Sequence, residues 1–572
     1  MLINKYIKIE DVKIYFLDFL FFAPMKLKLL FVFYILSYFN INAQNVFQKI
    51  IYGAYDEYAT CVKQTIDGGY IIAGATDSHS FPNDHNMYLV KTDSNGDTLW
   101  TKIYGRSNYG DALYSIQQTS DGGFIMTGGT EANACGQSDV YLIKTNNNGD
   151  TLWTKTFGGN KFDLGASVLQ TTDGGFIIGG TTMSTFNLAS EIFIQKTNGN
   201  GNLLWSKRFG ITSGNNNSAS ISSTERCFQQ TADGGFVIAG QAFNSSSGSG
   251  NVLLLKTDWN GNLLWAKTFG GTGNDGATSV QQTADGGFAI TGETLSFGAG
   301  NEDVYLIKTD SNGNALWSKT FGGTNSDYGN SIQNTSDSGF IICGTTRSFS
   351  NGCPSLSYLI RTNSNGDTLL TRTYGQTCSG DYGGRFVNET TDGGFIITGY
   401  ANGTINPNMN NCFINEDVHD IYLIKTDSNG NSGCHQENPN TIVGSASPTV
   451  TTPPITQVTA SFIIQSPVNL LTHFQMPDSI CTSVTGINEG EGENYFYVYP
   501  NPSIGKVMFE SLELQDDNYK IEIYNAFGEK IYQQNLLSDN SEIDLSNQSK
   551  GIYFLQLKTE QGSTTRKIII SK

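Results

Sequence analysis

Apolar and polar positions along the chain form a four-part pattern that recurs seven times. The first part alternates small or apolar residues with polar ones, as in SVQQT at 279–283, the period-two signature of a strand with one buried face. The second is a continuous apolar run, as in GFVIAG at 235–240, which predicts a strand buried on both faces. The third is VYLIKTD, as at 304–310. The fourth is LWSKTFGG, as at 316–323, where Trp317 and Phe321 stand an even step apart and so share a face. Between the first and second parts lies Asp-Gly-Gly, whose glycines permit the positive φ of a tight hairpin. It occurs at Asp67, Asp121, Asp173, Asp233, Asp285 and Asp392, and again at Asp337, where Ser338 replaces the first glycine. DSNGN, as at 310–314, offers the same turn chemistry between the third and fourth parts.

Successive aspartates of this motif are 54, 52, 60, 52, 52 and 55 residues apart, a spacing that marks a repeat architecture. Four strands per period over seven periods predict an all-β fold, a seven-bladed β-propeller with its blades stacked radially. The connections are of two kinds. The step from the Thr ending the first strand to the aromatic opening the second is always 5, from Thr65–Tyr70 through Thr390–Phe395. That from the basic residue of the third strand to the Leu of the fourth is always 8, from Lys91–Leu99 through Arg361–Leu369. The other two connections vary. One is 11 residues in the regular copies (Gly292–Asp303), 13 at Gly344–Ser357 and 21 at Gly399–Asp420, and the other is 13 in the regular copies (Gly270–Thr283) and 21 at Gly210–Thr231. In an up-and-down blade the invariant turns emerge on one face and the variable connections on the other, so binding is expected on the variable face.

The seventh period stops after its third strand and the turn at 427–431. Phe47-Gln48-Lys49-Ile50-Ile51-Tyr52-Gly53 is like Trp100–Gly105 with one residue added, and is expected to complete the last blade as its outer strand, removing an exposed edge. KTDSNGDTLW at 91–100 resembles the repeat of the quinoprotein-dehydrogenase-like propellers, a D-x-x-x-G turn followed by an outer-strand Trp. Trp100, Trp153, Trp205, Trp265 and Trp317 match that Trp, and Leu370 departs from it. Enzymes of that family typically have eight blades and an adjacent-cysteine pair beside the quinone. Seven repeats without adjacent cysteines do not carry the cofactor over, and none is expected.

Composition narrows the partners. With 34 basic against 52 acidic residues the net charge is -18, which argues against a nucleic-acid partner. Residues 25–43, basic at Lys26 and Lys28, then apolar, then small at Ala43, have the layout of a secretory signal peptide cleaved before Gln44. Residues 1–24 have no place in such a peptide and are expected to lie upstream of the true start at Met25. A membrane anchor built from both apolar stretches is the competing reading, but Asp18 and Pro24 interrupt it and each piece is short for a bilayer span.

Four constellations invite a chemical reading. Asp93, Asn95 and Asp97 have calcium-loop spacing, but Tyr104 stands where the twelfth-position Glu belongs, so a hairpin turn is expected. Asp56, Asp111, Asp163, Asp275, Asp327 and Asp381 recur before the first strand, either as a carboxylate ring for a cation or, as recurrence in nearly every blade suggests, as acceptors for backbone N–H groups. His79, His85, His419, His435 and His473 fall in loops or linker, and no nucleophile-elbow or metalloprotease motif is present. Cys61, Cys227 and Cys343 read as core fillers. Cys353, Cys378 and Cys412 fall in variable connections, Cys135 stands apart, and Cys434 and Cys481 flank the linker, a placement that suits disulfides in an extracellular protein.

Residues 435–492, rich in Pro, Thr, Ser and Val, read as a spacer with some extended structure around Ala460–Gln465. The last segment, 493–572, alternates as strands and predicts a small β-sandwich. YPNPSIG at 499–505, IYNAFGEKI at 523–531, GIYFLQL at 551–557 and the terminal KIIISK resemble the type A C-terminal sorting domain of the type IX secretion system of Gram-negative bacteria. Its motif residues here are Pro500, Asn501, Pro502, Gly505, Gly551, Tyr553 and Lys567. The resemblance implies export by the type IX machinery and removal of this domain by a sortase-like peptidase, with release or attachment to surface lipopolysaccharide. A carbohydrate-binding sandwich is the plainer alternative. The expectation is a monomeric, secreted or outer-membrane-surface binding or adhesion module with a glycan or protein ligand on the variable face. A secreted glycan-active hydrolase or lyase, with acid and base carboxylates on that face, is the alternative from another class. N-terminal sequencing of the exported protein is expected to read from Gln44, and a mature chain retaining Phe31 would overturn the signal-peptide assignment.

Overall fold

The computed structural model describes residues 44–482 except 54, 79–84, 106–109, 132–136, 185–189, 212–217, 221–226, 245–247, 351–353, 376–381, 403–418, 435, 440, 448, 452–454, 460–462, 466–469 and 472–476. It also describes 496–571 except 500–502, 504, 512–518, 526–528, 537–539 and 560–561. The chain divides into two compact units between Ser483 and Val484. All strand pairing is antiparallel within the sheets, and no α-helix occurs among the described residues.

In the first unit periods one, two, three, five and six each make one sheet whose four strands follow in chain order, and in the fourth the first strand is split into Ser218–Ser220 and Phe228–Gln230. The fifth is representative, with Asp275–Gln282, Phe288–Thr294, Asp303–Thr309 and Ala315–Gly322. Its third strand is buried at every residue, as the continuous apolar pattern demands. The hairpin between its first two strands turns at Gly286, φ 80°, whose N–H donates to the Thr283 carbonyl at 2.9 Å. In the sixth period Ser338 adopts the same conformation, φ 67°, at a cost of roughly 1–2 kcal/mol for a residue with a Cβ. The seventh sheet takes its fourth strand from the start of the chain. Phe47–Ile51 pairs with His419–Thr426, Phe47 opposite Lys425 and Ile51 opposite Ile421.

Sheets pack face to face in chain order. The first strand of each of periods two, three, five, six and seven lies against the second strand of the preceding sheet, and Glu57–Gln64 of the first lies against Phe395–Asn402 of the seventh. The junctions share a device. Trp100 meets Phe124 edge-on at 6.4 Å, Trp265 meets Phe288 at 5.9 Å, and Phe47 meets Tyr70 at 6.2 Å. The same outer-strand ring covers the glycine of the next period's second turn. A Cβ on Gly313 would stand 2.6 Å from Trp265, and one on Gly96 2.7 Å from Phe47. These glycines are thus needed twice, for positive φ and for the ring above them.

The segment from 436 to 482, which composition reads as a spacer, adds a fifth strand to every one of these sheets. Gln436–Glu437 pairs with the outer strand of the sixth sheet, Ile442–Ser445 with the fifth and Thr449–Thr451 with the fourth. Ile455–Thr459 follows on the third, Ile463–Gln465 on the second, Leu470–Leu471 on the first and Pro477–Thr482 on the seventh. The visits begin 6 to 8 residues apart, and seven extended residues reach at most about 25 Å. Each visit is too short to declare a strand by periodicity. Together they cover the edges that sheets otherwise offer to other chains. Cys434 is disulfide-bonded. Cys481 lies opposite Gln48, whose side-chain amide donates to the Cys434 carbonyl.

The second unit holds a three-stranded sheet and a four-stranded sheet around one core that includes Val507, Phe509, Ile521, Ile523, Leu555, Leu557, Ile568 and Ile570. Replacing residues 436–482 by a flexible linker of equal length should uncover the outer strands. Light scattering is then expected to find oligomers and calorimetry a lower melting temperature, whereas a monomer with unchanged melting would show that the fifth strands protect nothing.

Candidate ligand site on the face of the variable connections

The invariant turns are fully committed to holding the sheets. In the third period Thr171 Oγ1 and the Gly175 N–H donate to Asp173 Oδ1 at 2.6 and 3.0 Å, and the nearly buried Lys196 Nζ reaches it at 2.8 Å. The lysine, then Thr171, hold the Asp173 carboxyl down at about 2, against the opposing effect of burial. The same cation-to-Asp contact recurs in all seven periods at 2.7–3.0 Å, with Arg361 and Asp337 in the sixth. The calcium-spaced aspartates are also occupied. Asp93 Oδ1 accepts the Asn95 and Asp97 N–H groups at 2.8 and 2.9 Å, and Asp97 pairs with Lys49 at 2.6 Å. Among the described residues no group of three or more His, Cys, Asp or Glu is placed to hold a metal ion.

On the opposite face the recurring acids are scaffold as well. Asp275 Oδ2 accepts Gly271 N–H and Ser296 Oγ at 2.9 and 2.6 Å, and Asp327 Oδ2 accepts Gly323 N–H and Ser348 Oγ at 2.8 and 2.6 Å. In the first period the buried position is held by Glu57, not by Asp56, and in the seventh by Tyr382, Asp381 lying outside the described residues.

Where this face meets the inner strands, a cavity of about 360 Å³ opens between periods one, two, six and seven, a size typical of small-molecule sites. Its chemistry comes from Tyr58, Thr60, Tyr114, Asn330, Arg385, Tyr400 and His85. Four of these share one origin. The first strand carries a register shift at Ala59/Cys61, Leu113/Ser115, Gly165/Ser167, Ala277/Ser279, Gly329/Ser331 and Gly384/Phe386. The skipped residues are Thr60, Tyr114, Ala166, Thr278, Asn330 and Arg385. A bulge re-aims one side chain out of the strand's alternation, here into the cavity for four of the six. The sequence signal was present, since these residues all stand five before the Thr that ends the strand and differ in type, but a two-residue alternation hides them.

Arg385 is exposed, its guanidinium 5.4 Å from the Tyr400 ring centroid. His419, expected in a loop without partners, opens the third strand of the seventh sheet. It lies 5.3 Å from the Tyr58 ring and 5.5 Å from that of Tyr400. Tyr58 Oη donates to Asp56 Oδ2 at 3.0 Å, and the His419 N–H to Asp56 Oδ1 at 2.6 Å. Burial, then the Asp56 carboxylate, push the Tyr58 hydroxyl above the usual phenol range, and burial does the same to Tyr114. His85 Nδ1 stands 2.5 Å from Asp77 Oδ1.

Of the sorting-motif residues, Pro500, Asn501 and Pro502 lie outside the described residues. Gly505, φ 129°, donates its N–H to Ser503 Oγ at 2.9 Å. Gly551 opens the strand Gly551–Thr559, Tyr553 is buried with its hydroxyl donating to the Ser549 carbonyl at 2.7 Å, and Lys567 stands exposed opposite Phe554. The four described residues all belong to the second unit.

Comparison with known proteins bears on this second unit. Residues 497–571 match the family described as the secretion system C-terminal sorting domain. A chain carrying that domain is exported by type IX secretion to the cell surface or outer membrane. No curated protein matches. Among solved structures, PorZ, a bacterial surface component of the type IX secretion system of Porphyromonas gingivalis, aligns at 10% identity over 92% of this chain and 99% of its own, with a TM-score of 0.16. The extracellular domain of the one-component system BT4673 of B. thetaiotaomicron aligns at 11% identity over 92% and 99%, with a TM-score of 0.15.

Beside the cavity, the junction of the seventh and first sheets holds two buried carboxyls, Glu57 and Asp420. Burial raises Glu57 to about 7, and burial followed by the charge of Glu57 raises Asp420 to about 8. The ordinary values are 4.5 and 3.8, so across this window the folded chain binds more protons than the unfolded one. Their contribution to stability is present in full below the lower values and is lost as pH rises through the upper ones. Asn86 and Asn251 occupy the Asp420 position in the first and fourth sheets, each six residues before the Thr that ends the strand. Asp420→Asn is therefore expected to raise the melting temperature at pH 8 by a few degrees and to flatten its fall between pH 4 and 8. An unaltered slope would mean that the carboxyl titrates elsewhere.

Proposed function

We propose that residues 44–482 form a seven-bladed β-propeller that binds a ligand at the cell surface, delivered there by its C-terminal sorting domain. Support for the ring comes from the likeness of the seventh-to-first junction to the others. Gln64 Oε1 accepts the Thr391 N–H at 2.9 Å just as Gln118 accepts from Ile66 at 3.1 Å and Gln170 from Ser120 at 2.8 Å. Asn388 Nδ2 likewise reaches the Val62 carbonyl at 2.7 Å across that junction. Seven sheets, each with both faces occupied by neighbours, need no eighth blade and no cap.

The observation that carries the binding reading is the cavity among the bulge residues, where a recurring scaffold position is filled by Thr60, Tyr114, Asn330 and Arg385. Its walls offer rings, hydroxyls and one guanidinium. The acids beside it, Asp56 and Asp77, are engaged with Tyr58, His419 and His85, which favours recognition over acid and base work by a facing carboxylate pair. The mature protein is taken to act as a monomer, as an adhesion or binding module for a glycan or protein ligand. The sorting domain meets the type IX machinery and is then removed by a sortase-like peptidase.

Glycan-array binding by the mature chain is expected. Tyr400→Ala should weaken the strongest signals about tenfold or more, as loss of an aromatic platform at a buried contact does, with unchanged melting. Turnover of any arrayed glycan would favour the hydrolase or lyase reading instead.

A further inference from the structure

We infer that the cavity recognises a sugar bearing a single carboxylate, of the uronic acid class, with Arg385 as its anchor. This rests on the reading of the cavity as a ligand site and names the ligand's chemistry.

The guanidinium is the first reason. In a chain of net charge -18, the clamp cations of all seven periods are paired with acids, Arg361 with Asp337 among them, and Arg208 is paired with Glu191. No carboxylate pairs with Arg385 among the described residues, and the side chain is exposed where the cavity opens. Its orientation is fixed from two sides. The Tyr400 ring lies under the guanidinium, and the bulge that aims it is held by Asn330, whose Nδ2 donates to the Gly384 carbonyl at 2.7 Å. An aimed, unpaired guanidinium is matched by a carboxylate, which it can grip through two parallel N–H bonds.

The remaining walls limit the ligand to one charge. Among the described residues Arg385 is the one Lys or Arg in the lining, and the acids around it, Asp56 and Asp77, would repel a further anion. Polyphosphates and densely sulfated chains are therefore poor fits. Tyr58, Tyr114 and Tyr400 supply flat apolar faces with polar tips, the combination that suits the C–H face and rim hydroxyls of a pyranose. A volume near 360 Å³ is that of a small-molecule site, which points to a terminal or short saccharide and not to an extended polymer groove.

The test is calorimetric titration of the mature chain with glucuronate and galacturonate oligosaccharides, their neutral glucose and galactose counterparts, and a short acidic peptide. Uronates are expected to bind about 10- to 100-fold more tightly than the neutral sugars, the contribution of a charge-assisted contact, and more weakly as salt rises. Arg385→Met should abolish that preference, and Arg385→Lys should fall between. Equal binding of charged and neutral sugars, lost in Tyr400→Ala, would overturn the carboxylate assignment and leave the cavity as a glycan site. Binding of the peptide but of no sugar would overturn the sugar assignment. Uronate binding unaffected by Arg385→Met would place recognition elsewhere.

Discussion

A strand buried on both faces cannot belong to an isolated sheet. The second and third strands of each period here are mostly apolar and buried along nearly their whole length, so each sheet needs a neighbour on either side. An open row of seven would leave two such faces in water. Burial is worth roughly 25 cal/mol per Å² of apolar surface, and two exposed blade faces would forfeit a large part of a domain's net stability, which is itself only about 5–15 kcal/mol. In the proposed ring, with Glu57–Gln64 of the first sheet against Phe395–Asn402 of the seventh, both faces are covered at once. The contribution of Phe47–Ile51 to the last sheet also ties the strand that precedes the first period to the last period.

Within that constraint the repeat motif can be understood as paired fittings at the two ends of a blade. At one end a buried lysine or arginine reaches the carboxylate of the Asp-Gly-Gly turn. Loss of that carboxylate would strand a cation in the interior, a far larger cost than the pair's net worth. At the outer edge an aromatic ring lies over the glycine of the next blade's turn. Hairpin geometry and inter-blade packing thereby depend on the same residues, which is why neither turn changes length.

Much of this was legible in the sequence because it repeats. Turn residues, the two-faced strands and the missing fourth strand of the last period all follow from local patterns read seven times over. Of the segment 436–482 only the extended stretch around Ala460–Gln465, where Ile463–Gln465 is a strand, was legible, since visits of two to six residues leave no period to read and the partners that make them strands lie in seven different sheets. The second hidden feature was the burial of acids at the junctions. Asp56 and Glu57 are adjacent in sequence, and only the bulged pairing of the first strand with Tyr70–Thr76, which sets Glu57 opposite Thr76, determines which of them goes inside.

The cavity residues were hidden for a related reason, and it bears on where function can arise in a repeat fold. Positions that build the blade must be alike in every copy. A bulge creates a position that the blade geometry requires but whose side chain the blade does not use. Some copies are put to structural work, Thr60 and Thr278 hydrogen-bonding to the next blade's backbone at Leu113 and Gly329. Others, Tyr114 and Arg385, are left to face the opening. The departures from regularity also gather here, with Glu57 and Asp420 buried together and His419 at the strand start. They collect at the junction where the strand that precedes the first period shares a sheet with the last. That junction is assembled from residues some 370 apart, so it is also the place where the repeat can break its own pattern with least consequence for the other six.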